Sequence, residues 1–86
     1  MTIFGFRINE RDTEENLELH GFKTIRYNKY IIALGYYRRI SAALYEFPGA
    51  SRCCDAPADL VFVSAEKFEE EGDALRAMFA LIDTME

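Results

Sequence analysis

The sequence predicts a small α/β or α+β domain: three to four strands packed with two to three helices, in the order β-α-β-α-β-α. Three observations predict it. Short apolar segments of strand character alternate with longer stretches whose apolar residues recur at helical spacing. Gly, Asn and Pro fall between them and mark the breaks. Half of the residues are hydrophobic, with seven Phe and five Tyr among them, which is enough apolar volume for a core. A chain of 86 residues makes a single domain, 1–86.

The first element is Thr2 to Ile8. Phe4, Phe6 and Ile8 alternate along it, a strand signal with Gly5 inside. Asp12 or Thr13 then caps a short helix running to about His20. Glu14 and Glu15 sit in its first turn, where the helix dipole favours them, and Gly21 is a natural stop. Phe22 to Tyr27 follows as a second strand.

Residues 29–47 are the most aromatic stretch. Tyr30, Ala33, Tyr37, Ile40, Leu44 and Phe47 recur at spacings of 3, 4, 3, 4 and 3, the period of one helix face. One helix from about Lys29 is the preferred account. The competing account is a hairpin at residues 28–29, with Asn28-Lys29 as the turn, Gly35 ending a strand and a helix beginning near Tyr36. Interior Gly35 and the β-branched pair Ile31-Ile32, which lies off the stripe, speak for the hairpin.

Pro48-Gly49 ends that element. Residues 48–58 form an irregular loop of a length that often carries function. Leu60 to Val63, a continuous apolar run, is expected as a strand buried on both faces. Ser64 caps a last helix reaching about Thr84, with Phe68, Leu75 and Ile82 every seventh residue and a possible break at Gly72-Asp73. The expected core is Phe4, Phe6, Ile8, Ile25, Leu34, Tyr37, Ile40, Leu44, Val61, Val63, Phe68, Leu75, Phe79 and Ile82.

Several function classes lose support. The first eight residues lack a basic, signal-like start, and no apolar run approaches the ~20 residues that span a bilayer. The two cysteines, Cys53 and Cys54, are adjacent, which excludes a disulfide framework and points to a reducing, cytoplasmic compartment. Zinc wants four Cys or His ligands, and the chain has two Cys and one His. Glycines are scattered without a phosphate-binding pattern. No metal and no cofactor is expected.

The net charge of −5 is unevenly spread. Residues 23–52 carry Lys23, Arg26, Lys29, Arg38, Arg39 and Arg52 against Glu46 alone, and both flanking segments are acidic. Tyrosines beside arginines suit single-stranded nucleic acid. A helix, however, would send Tyr37 into the apolar stripe and Arg39 to the opposite side, and overall acidity repels a polyanion. Nucleic acid is therefore the least favoured partner.

Two functional readings lead. The first is a non-enzymatic binding protein of adaptor, immunity or inhibitor type that acts through protein–protein contacts and forms a homodimer. Its binding residues are Ile32, Tyr36, Arg38 and Arg39, on an apolar flank and basic surface of the middle helix, with Glu69, Glu70 and Glu71 as an acidic face. The second is a small thiol-dependent enzyme or sensor using Cys53 or Cys54, with His20 as the available base. For His20 the simpler role is to end a helix, where its ring meets the free carbonyls.

Overall fold

The computed structural model describes residues 2–3, 6–47 and 57–85, with the backbone alone at residues 2, 3, 6, 7 and 37. Its elements are β1 (Thr2–Ile3), β2 (Phe6–Arg7), β3 (Arg11–Asp12), α1 (Glu14–Leu19), β4 (Lys23–Tyr27), β5 (Tyr30–Tyr37), β6 (Arg39–Glu46), β7 (Ala58–Val63) and α2 (Glu71–Met85). This overturns the β-α-β-α-β-α order. The molecule is an antiparallel five-stranded half-barrel sheet, ordered β3-β7-β6-β5-β4, with one long helix and one short one; β1 and β2 pair separately.

The largest correction is at residues 29–47. No helix forms there; the hairpin is the observed structure. Tyr27 faces Tyr30 across a turn in which Asn28 takes φ 55°, a conformation Asn tolerates better than most residues. β5 then reverses into β6 around Arg38, at φ 66°, and the two strands pair from Tyr30↔Glu46 to Tyr37↔Arg39. Gly35 ends nothing: it lies inside β5, opposite Ser41.

Both faces of the sheet are covered. On one, Tyr30, Ile32, Leu34, Ile40, Ala42 and Leu44 pack against Ala74, Met78 and Ile82 of α2. On the other, Ile31, Ala33, Ala43, Tyr45 and Phe47 pack with Ile8, Leu17, Phe22 and Ala58. α1 carries the chain across this second face, from β3 at one edge of the sheet to β4 at the other. Thr13 caps it, accepting from the Asn16 amide at 3.1 Å, and Gly21, at φ 94°, follows its end as the sequence indicates.

Two further elements differ. Ser64 does not start a helix: its hydroxyl accepts from the Glu66 amide at 3.2 Å in a local turn. Phe68 then exchanges two backbone hydrogen bonds of 2.8 Å with Ile40, and α2 begins at Glu71. The apolar run in β7 is not buried on both faces, since Val61 is 41% and Phe62 36% exposed. Of the expected core, Ile8, Leu34, Ile40, Leu44 and Ile82 are buried, while Ile25, Val63, Phe68, Leu75 and Phe79 are half-buried. The side chains of Phe4, Phe6 and Tyr37 lie outside the described residues.

Candidate functional site

The turn between β5 and β6 and the start of α2 bring together five of the residues singled out by sequence. Tyr36, Arg38, Arg39, Glu69 and Glu71 line an open cleft of about 400 Å³ with Ile40. Lys23 of β4 pairs with Glu71 Oε1, and the Tyr36 hydroxyl donates to the same oxygen at 2.8 Å. Lys23 and then Tyr36 hold the Glu71 carboxyl below its ordinary value. Burial, together with the Glu71 carboxylate, pushes the Tyr36 phenol up to about 12. Tyr36 and Glu71 thus fasten the helix to the sheet. The opposite charges in the cleft leave it no single sign.

Ile32 does not belong to a surface. It is 0% exposed, because β5 lies inside the sheet with both faces covered. Glu70 is exposed but does not line the cleft. His20 is exposed and ends α1, its amide donating to Asn16 O at 3.1 Å. Cys53 and Cys54 lie outside the described residues. Among the described residues no group of His, Cys, Asp or Glu is placed to hold a metal ion, and no helix is long and apolar enough to cross a membrane.

The second surface is the outer edge of β7. On its inner side β7 pairs with β6, from Glu46↔Asp59 to Ala43↔Val63, with an irregularity between Leu44 and Tyr45 that leaves Val61 as the extra residue. On its outer side β3 reaches only Ala58 and Asp59, and the Leu60 amide donates to Glu10 O at 2.7 Å. Beyond Leu60 no strand among the described residues is paired to that side. Glu10, Arg11, Asp59 and residues Leu60 to Val63 border an open cleft of about 640 Å³ there, and Arg11 Nε pairs with Asp59 at 2.9 Å at its end.

α2 does not cover this edge: among the described residues, none of β7 belongs to the cluster beneath the helix. Its Phe79 ring stacks near Tyr27 of β4, with centroids 4.7 Å apart, and Asp83 accepts from the Tyr27 hydroxyl at 3.2 Å. The helix lies over β5 and β6, and the cluster beneath it takes in Ile25 and Tyr27 of β4. The sequence carried one sign of this site, the LVFV run itself. Which strand of a sheet lies outermost depends on pairing partners remote in sequence, so the run read as doubly buried. Compared with family models, with curated proteins and with solved structures, the chain matches none.

Proposed function

We propose that the protein is a non-enzymatic binding module that engages another protein by strand addition along the outer edge of β7. One observation carries this: backbone without a paired strand, among the described residues, coincides with two exposed apolar side chains, Val61 and Phe62. An edge of that kind is a template for another strand, with backbone hydrogen bonds supplying affinity and side-chain contacts supplying selectivity. The opposite edge, β4, exposes Lys23 and Arg26, charged residues that discourage such pairing. Adjacent cysteines that cannot stitch a fold together favour the cytoplasm as its compartment.

The test is capture from extracts of the cells that make the protein, using wild type, Phe62→Asp and Arg39→Ala. A partner held by wild type and Arg39→Ala but lost with Phe62→Asp is the expected result. Retention by Phe62→Asp, with its fold intact by circular dichroism, would remove β7 as the docking edge.

A further inference from the structure

We draw no further inference here: the strongest candidate, the open cleft where the β5–β6 turn meets the start of α2, lined by Tyr36, Arg38, Arg39 and Glu69, holds charges of both signs, and nothing in the structure shows what covers it.

Discussion

The hydroxyl of Tyr45 donates to Asn9 O at 2.6 Å from a ring that is fully buried. That bond ties the middle of the sheet to the segment before β3. Asp12 completes the arrangement: it accepts from the Thr13 amide at 2.9 Å and from Asn16 Nδ2 at 2.7 Å, so the start of α1 is held to the same point. Burial, with the charge of Asp12, pushes the Tyr45 phenol up to about 12 from an ordinary value of 10.0. A phenol raised on folding contributes stability that is complete below the unfolded value and disappears as pH rises through the folded one. Tyr45→Phe should therefore cost about 1 kcal/mol near neutrality, the typical worth of one hydrogen bond. In urea titrations the gap to wild type should narrow between pH 10 and 12. A gap that stays constant over that range would show that the hydroxyl does not carry the linkage. Tyr36 titrates in both proteins and cancels.

At the scale of elements, Ile31 and Ile32 account for the main departure from sequence expectation. In β5 they point to opposite faces, Ile31 into the cluster around Leu17 and Ile32 into the cluster beneath α2, and neither is exposed. A half-covered sheet would alternate apolar and polar residues and announce its period. This sheet is covered on both faces, so Tyr30 to Leu34 is apolar throughout, and a helical spacing could be drawn through a run in which nearly every residue is buried. α1 was legible because its signals, Thr13, Glu14, Glu15 and Gly21, are local. The same holds for the strand Lys23–Tyr27. The order of strands, and with it the exposure of Val61 and Phe62, depends on contacts between distant segments. The sequence singles out Tyr36, Arg38 and Arg39 as one surface and Glu69 and Glu71 as part of another; the hairpin and α2 bring the two groups into one cleft, by a route the sequence did not suggest. Ile31→Ala and Ile32→Ala should each cost about 2–5 kcal/mol in denaturant titrations, as for large-to-small changes in a packed core. A long helix in this segment would leave both off its buried stripe, so a cost under about 1 kcal/mol at either position would contradict the doubly covered strand.

At the scale of the molecule, the uneven charge of the chain is partly folded away: three of the six basic residues of the middle segment meet carboxylates. Lys23 pairs with Glu71, Arg26 with Glu14 at 3.5 Å and Lys29 with Glu46 at 3.1 Å. In two of these three pairs a base from the basic middle meets an acid from a flanking acidic segment. Arg26 also lies over the Phe47 ring, 4.7 Å from its centroid. The more exposed of these pairs, Lys23–Glu71 and Lys29–Glu46, add little to stability. Their consequence lies in the field: a stripe of cations in sequence becomes a patchwork of both signs. Arg38 and Arg39 remain on one cleft, but Glu69 and Glu71 share it. A polyanion bound by counterion release needs several cations along its backbone that are not already answered by carboxylates. None of the surfaces described supplies them, and the net charge of −5 opposes the approach. Fluorescence anisotropy with single- and double-stranded oligonucleotides near physiological salt should show no complex tighter than about 10⁻⁴ M, the weak end of non-specific binding. A micromolar complex that weakens steeply with salt, and weakens again with Arg38→Ala and Arg39→Ala, would show that the two arginines outweigh the acids beside them.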